Sequence, residues 1–509
     1  MKSFSSCILN SKIEIRCSDR TGIATDNLDE LFAYLVSKQE GFNICWDVDV
    51  FVAPILKVLS IQQVEDLFNS GRISIGKHTI IYNQGKSLRI SLSYKNAASF
   101  YWIKQYYQED EEPSLDDIKV KGEIIITELA KIGINPKKLT SSVAIFENIF
   151  DQLNLPTYKD IPVELCKWTW GQKGRAWTEA FKLGHFDMCT DLDINSCFPS
   201  IMADLYDTRY GTIVHSKEIP EAADYVFARG MLDTSDYFTP FVYANEYGHL
   251  FSPRGKREAI LSKQGLDYLK EYDAGTFELQ DAFSWVPTRK FKPMHYTVNK
   301  IFNQRSGNYP KPVKRIFKGA LNGIYGRFYQ EFRDGTLGKQ VNPIWGFLIE
   351  DGARLKIAEY IKNNHLEKDI LAINTDGILL EGDYNIESST KMGEWRIDNK
   401  GPALIVSSGT VFFADKKPSQ VYYHEAMDMI RCYPEAIEWH KKAERLITIG
   451  DALQGWSEEL GSLHETSPGF SLIFDHDRYY PSLPQTGGEL LNRIFPSQPI
   501  DASSLVTAK

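Results

Sequence analysis

Long apolar runs are missing from this chain. Nowhere in its 509 residues do consecutive apolar side chains approach the about eighteen that a membrane-spanning helix needs. Cysteine is scarce: seven residues, Cys7, Cys17, Cys45, Cys166, Cys189, Cys197 and Cys432, lie far apart, with no C-x-x-C pair. An odd, scattered set argues for reduced thiols in a cytosol-like compartment and against a zinc site. The opening Met1-Lys2-Ser3-Phe4-Ser5-Ser6-Cys7 has no apolar core of an export signal, so a cytoplasmic protein is expected. Repeats and low-complexity tracts are absent. With 43% hydrophobic, 13% aromatic and 25% charged residues, there is ample material for a core, which excludes disordered, collagen-like and coiled-coil chains. The length suggests several domains.

A strong positive balance is lacking too, since the net charge is −9. The charge is unevenly placed, however. Between Arg289 and Arg333 stand eleven basic residues (Arg289, Lys290, Lys292, Lys300, Arg305, Lys311, Lys314, Arg315, Lys318, Arg327 and Arg333) against one acid, Glu331. Such a run is often only a solvated face, but inside an acidic protein it is also the footprint of a phosphate-binding surface. Phe291, Tyr296, Phe302, Tyr309, Phe317, Tyr325, Phe328 and Tyr329 interleave with it, which suits stacking on bases.

Periodicity predicts mixed strands and helices over residues 1–155. A buried strand is expected at Phe42–Trp46, a helix from Phe51 to Ser60, a hairpin from His78 to Ser93 around Asn83-Gln84-Gly85, and a helix from Asp116 to Ile132. Glu109-Asp110-Glu111-Glu112 before Pro113 reads as an exposed loop, and Asn154-Leu155-Pro156 with Ile161-Pro162 as a linker. Further on, Phe186, Met188, Thr190 and Leu192 are expected on one side of a strand, with Asp187, Cys189, Asp191 and Asp193 on the other. A helix begins near Ile201, residues 311–330 are helical as far as Gly323, and Ala353–Asn363 is helical. Ile370–Ile373 and Ile378–Leu380 form a hairpin through Asn374-Thr375-Asp376-Gly377, and helical patterns run from His424 to Ile447.

Three segments carry the chemistry: Asp193-Ile194-Asn195-Ser196-Cys197-Phe198-Pro199-Ser200 at a strand end, Lys318-Gly319-Ala320-Leu321-Asn322-Gly323-Ile324-Tyr325-Gly326 on a basic helix, and the tip Asn374-Thr375-Asp376-Gly377. Each alone has a bland explanation as a cap, a surface or a turn. In this order they resemble the polymerase motifs of the family B DNA polymerases, D-x-x-S-L-Y-P-S, K-x-x-x-N-x-x-Y-G and D-T-D. Asp193, Ser196, Phe198, Pro199 and Ser200 match the first, with Phe for Tyr. Lys318, Asn322, Tyr325 and Gly326 match the second in full. Thr375 and Asp376 match the third, with Asn374 in place of its first Asp. The resemblance covers residues 165 to 420. Gly171-Gln172-Lys173-Gly174-Arg175 stands where the family has a glycine-rich junction contacting template, and the downstream Lys-x-Tyr element has no counterpart near Ser407–Phe413.

The resemblance implies a mixed α/β, α+β multidomain protein of right-hand form. Its parts would be an inactive RNase H-like, exonuclease-like domain (1–155), palm (156–285), fingers (286–330), palm again (331–405), and thumb with a tail (406–509). It implies template-directed addition of dNTPs to a 3′-OH of primer–template DNA, with two Mg2+ ions, for which Mn2+ substitutes, about 3.5–4 Å apart. Asp193 and Asp376 would be catalytic metal anchors, joined by the Ile194 backbone and Asn374. Magnesium takes oxygen ligands and keeps waters, so two carboxylates suffice. Lys318 would serve the phosphates as a catalytic charge. Ser196, Cys197, Phe198, Arg305, Lys314, Asn322 and Tyr325 would bind the dNTP, the first three through backbone N–H groups at a strand-to-helix turn. Gly174, Arg175, Gly326 and Arg327 would contact DNA. A monomer from a phage, plasmid or mobile element is the implied setting.

The exonuclease signature, Asp-x-Glu on a strand, is missing. Asp47-Val48-Asp49 is the nearest carboxylate pair, and Ile13-Glu14-Ile15 lacks the partner Asp. Two other functions stay open: a polymerase-derived protein that binds nucleic acid without extending it, and a nuclease using Asp47 and Asp49.

Overall fold

The computed structural model describes residues 1–9, 12–39, 41–83, 86–92, 96–107, 113–244, 250–332, 335–414, 421–440, 443–446, 463–466, 469–472 and 478–507. The loop at 109–112, the hairpin tip Gln84-Gly85, Arg333 and Ile447 lie outside them. The chain divides into two compact units, Met1–Gln152 with Lys300–Gly323 and Lys442–Thr466, and Leu153–Asn299 with Ile324–Lys441 and Ser467–Lys509.

The first unit is built on an eight-stranded sheet. Its order is Gly22–Thr25, Lys12–Cys17, Lys2–Leu9, Asn43–Cys45, Ala97–Trp102, Ser87–Ser91, His78–Asn83 and Arg72–Ile75. The three central strands are parallel and the wings antiparallel. Phe4 packs edge-on to Phe100, which stacks on Phe51 at 5.3 Å, so three aromatics seal the sheet against the helix Val48–Leu56. Leu115–Lys131 is helical as its periodicity requires, capped by the Ser114 hydroxyl accepting from the Asp117 N–H. The basic helix Lys311–Tyr325 runs through Gly323 rather than ending there. Its glycines are packing residues, because a Cβ on Gly319 or Gly323 would collide with Ser142 or Val143.

Among the described residues the second unit carries two large sheets and two small two-stranded ones. One runs Thr410–Phe413, Trp395–Ser407, Lys182–Ile194, Gly377–Glu381, Ile370–Asn374 and Thr178–Ala180, every pair antiparallel, with Phe495–Pro496 added beside Lys182. Alternation along Lys182–Ile194 departs from expectation. Met188 is exposed and Cys189 buried, because a bulge between Phe186 and Cys189 shifts the phase by one. The helix Pro343–Asn363 is apolar on most sides and correspondingly buried, ten residues longer at its start than its expected Ala353 beginning. The second sheet is antiparallel, ordered Gly211–Ser216, Thr276–Pro287, Tyr225–Thr234 and Gly255–Ser262.

One sequence expectation fails near the end of the chain. The helix expected from His424 stops at Cys432, because Pro434 cannot continue it, and a strand, Glu438–His440, follows. The described part of the tail belongs to the second unit's core. Arg478 reaches Glu179 at 3.2 Å and stacks on Phe181 and Tyr237, while the Ser497 N–H donates to the Phe181 carbonyl.

Candidate active site

The site begins with a register. Asp193 stands opposite Gly377 on paired strands, and the Ile194 N–H donates to the Asp376 carbonyl at 2.9 Å. Asp193, on a strand, and Asp376, in the hairpin turn, are thereby neighbouring residues. The hairpin turns through Thr375, whose backbone is left-handed (φ 57°), with the Asp376 N–H bonded to the Asn374 carbonyl and the Thr375 N–H to that of Trp177. Just past Asp193 the chain makes a second tight turn. Ser196 is left-handed (φ 52°, ψ 54°) and heads the helix Cys197–Asp204 without capping it by its side chain. Non-glycine residues held this way cost of order 1–3 kcal/mol and cluster at functional sites.

The thiol of Cys197 reports the local charge. It is fully buried, and burial, then Asp376 and Asp193, push it up to about 12 while Lys356 opposes them. Both carboxylates thus act on one atom. The Cys197 thiol is therefore out of reach of a ligand. Phe198 is half-buried and meets Tyr325 edge-on at 4.8 Å, so the first motif and the end of the second touch.

Tyr325 is held from behind by a residue that the sequence did not single out. Its hydroxyl donates to Glu350, a buried carboxylate that also accepts the N–H groups of Gly174 (2.9 Å) and Arg175 (3.2 Å). Burial raises the Glu350 pKa against these hydrogen bonds, and burial, then Glu350, raise that of Tyr325. The Arg175 guanidinium, expected at DNA, turns inward instead. It donates to the Val242 and Gly171 carbonyls, and burial, then Arg354, push it down to about 10. Gly326, by contrast, is exposed with open space around it, at the start of the 3-10 turn Gly326–Tyr329.

Arg396 is the other side chain missed. Its Nε and Nη2 donate to Asp193 Oδ2 at 2.9 and 2.7 Å, and Nη2 lies 3.0 Å from Asp398 Oδ1. The ladder skips Asp398 between Ile397 and Asn399, so alternation alone could not have placed its carboxylate beside Arg396. Asn374 is exposed at the hairpin end.

The basic window is less uniform than its composition. Lys318 and Asn322 are exposed on Lys311–Tyr325, and with Lys314 and Arg305 they belong to the first unit. Arg315 instead donates to the Tyr106 and Tyr107 carbonyls at 3.0 and 2.5 Å. Lys290 pairs with Asp224 and Lys292 with Asp204, acids distant in sequence. Of the interleaved aromatics, Phe302, Phe317, Phe328 and Tyr329 are core and cannot stack on bases, whereas Tyr296 is 73% exposed. A cleft of about 630 Å3 in the second unit is lined by Asp204, Asp224, Lys290 and Lys292 among others. It includes neither Asp193 nor Asp376.

A hard divalent ion fits the pair Asp193 and Asp376 by donor chemistry, with the amide oxygen of Asn374 at the same hairpin. Among the described residues no three His, Cys, Asp or Glu side chains gather as a metal site. In the first unit, Asp47 caps the helix Val48–Leu56 by accepting from the Asp49 N–H, Asp49 accepts from the Tyr82 hydroxyl, and Glu14 pairs with Arg16. Asp47→Ala should therefore cost about 1 kcal/mol of stability, the worth of an N-cap. It should leave the rate of removal of a mismatched primer end unchanged, and a chemical-melt series with an excision assay checks both.

No family model matches the sequence, and no curated protein does. The fold does have counterparts among solved structures. Phi29 DNA polymerase complexed with primer-template DNA and incoming nucleotide matches with a TM-score of 0.62 at 14% identity, over 93% of this chain and 100% of that one. The same polymerase in a post-translocation binary complex with primer-template DNA gives 0.61 at 15%, over 92% and 99%. Its complex with single-stranded DNA gives 0.58 at 15%, over 93% and 99%. The chain thus has the fold of phi29 DNA polymerase, a family B polymerase, along nearly its whole length. Among the described residues no helix is long and apolar enough to cross a membrane.

Proposed function

We propose that this protein is a template-directed DNA polymerase, adding dNTPs to the 3′-OH of a primer by two-metal nucleotidyl transfer. The observation that carries the proposal is the register that makes Asp193 and Asp376 neighbours beside the Ser196–Phe198 turn, with Tyr325 packed on Phe198. The likeness to polymerase–DNA complexes supports primer–template DNA as the partner.

Magnesium ions held by Asp193 and Asp376 would supply Lewis acidity to the attacking 3′ oxygen and the leaving pyrophosphate. The chain's own groups do the rest. Backbone N–H groups of the Ser196–Phe198 turn bind the triphosphate. Lys318 and Asn322, matched by motif, and Arg305 and Lys314, added by their charge, would offer charge and hydrogen bonds to the phosphates. Tyr325 presents its ring to the nascent base pair, held by Glu350. Glu350 also fixes the Gly174–Arg175 backbone, so Gly174 acts by shaping the loop, while Gly326 and Arg327 meet the primer–template. The domains divide as palm, fingers and thumb, with the N-terminal domain, residues 1–155, supporting DNA without cutting it.

Phe198 lies where the sugar of the incoming nucleotide would rest, and a 2′-OH is what separates RNA from DNA precursors. Phe198→Val should raise ribonucleotide incorporation relative to dNTP by about tenfold or more, the effect of a contact worth about 1.4 kcal/mol. Unchanged discrimination in competitive incorporation would reduce Phe198 to a packing partner of Tyr325.

A second function, binding nucleic acid without extending it, is favoured by one observation: Arg396 occupies Asp193 while Asn374 withholds a carboxylate. A labelled primer on template, with magnesium and dNTPs, separates these. Extension supports the polymerase, an unchanged primer the binding protein, and a shortened primer a nuclease.

A further inference from the structure

A positive side chain hydrogen-bonded to a carboxylate meant for a cation is chemically odd. Arg396 places two donors on the same oxygen of Asp193, at 2.7 and 2.9 Å, and in the same position brings Nη2 to 3.0 Å from Asp398 Oδ1. All three side chains are partly buried, about a quarter to a third exposed, so their charges are screened less than at an open surface. Asp376, which shares its influence on Cys197 with Asp193, adds a further negative charge. Without a counter-charge these carboxylates would repel one another across paired strands. Arg396 supplies that charge from within the chain, and Asp398 gives it a second partner already in reach.

We propose that Arg396 is a positioning residue that acts as the site's resident counter-cation: it holds Asp193 in the metal-free protein and passes to Asp398 when a divalent ion takes Asp193. The inference rests on Asp193 being a metal carboxylate. Its consequence is an exchange of charge for charge, so the strands keep one arrangement with and without metal, at the cost of weaker metal binding.

Mn2+ titrated into the full-length protein, followed by the electron paramagnetic resonance of the free ion, reads this directly. Arg396→Gln should bind Mn2+ about tenfold more tightly than wild type, the factor for about 1.4 kcal/mol of lost competition. Asp398→Asn should bind it more weakly, because the arginine then has Asp193 alone. In the double variant Asp398→Asn should have no further effect, since no arginine remains to be relocated. Melting in EDTA should show Arg396→Gln less stable than wild type, with the difference erased at saturating Mn2+. Unchanged or weaker Mn2+ binding by Arg396→Gln overturns the proposal. So does a loss of affinity from Asp398→Asn that persists in the double variant, which would make Asp398 a ligand. If Arg396→Gln does not fold, Arg396→Lys carries the test, a point charge without the two-pronged geometry: tighter binding supports the exchange, equal or weaker binding overturns it. Asp193→Asn separates the two levels. If it removes the Mn2+ site, the metal assignment stands whatever Arg396 does, and Mn2+ binding indifferent to it overturns both.

Discussion

Replacing either Asp193 or Asp376 by alanine should lower primer extension by about three orders of magnitude or more, the rate equivalent of several kcal/mol of lost charge stabilisation in the transition state. Affinity for primer–template should change little, because neither residue is a phosphate-binding cation. The two substitutions should also fail to add. Each removes half of one clamp, and residues that act as a unit are not independent. Single-turnover extension and a DNA-binding titration on the two variants and their double check this. A variant that extends at a tenth of the wild-type rate would remove that carboxylate from the site. The prediction depends on the strand register, since Asp193 faces Gly377 and the Ile194 N–H bonds Asp376.

The second large effect is on stability. Arg478→Ala should destabilise the protein by about 3–5 kcal/mol, because it leaves the Glu179 carboxylate buried without its partner. Both side chains are almost completely buried. Burial pushes Glu179 towards protonation, while Arg478 and the Trp177 indole N–H hold it charged. The contrast that identifies this cause is a double variant, Arg478→Met with Glu179→Met, which removes both charges and keeps side-chain bulk. It should recover most of the loss, as paired apolar replacements of buried ion pairs commonly do. Denaturant melts of the three proteins decide it. An equal loss in the double variant would assign the effect to the packing of Arg478 on Phe181 and Tyr237.

Much of the site was legible because its motifs use short-range physics. The hairpin at Asn374–Gly377, the strand ending at Asp193 and the basic helix each announce themselves in a few residues, and their order supplied the likeness to a polymerase. What stayed hidden depends on contacts between residues distant in sequence. Glu350 stands in an apolar helix, and nothing near it in sequence points to Tyr325 or Gly174. Arg396 finds Asp193 across a ladder that a bulge distorts at Asp398. Composition misled in the basic window, where Arg315, Lys290 and Lys292 meet partners from other segments and Phe317 and Phe328 are core. The second sheet of the second unit, from Gly211 to Pro287, had no motif to mark it, and the expected helix to Ile447 overlooked Pro434.

Incorporation of a single nucleotide opposite each of the four template bases tests template-directed synthesis most directly. Wild-type protein, a labelled primer, magnesium and one dNTP at a time should give a one-nucleotide product only when the dNTP complements the template base. No product should form with Asp376→Ala in any combination. A wild-type protein inert with every dNTP in both magnesium and manganese, extending primers only after Asn374→Asp, would contradict the assignment and leave a nucleic-acid-binding protein with a degenerate site.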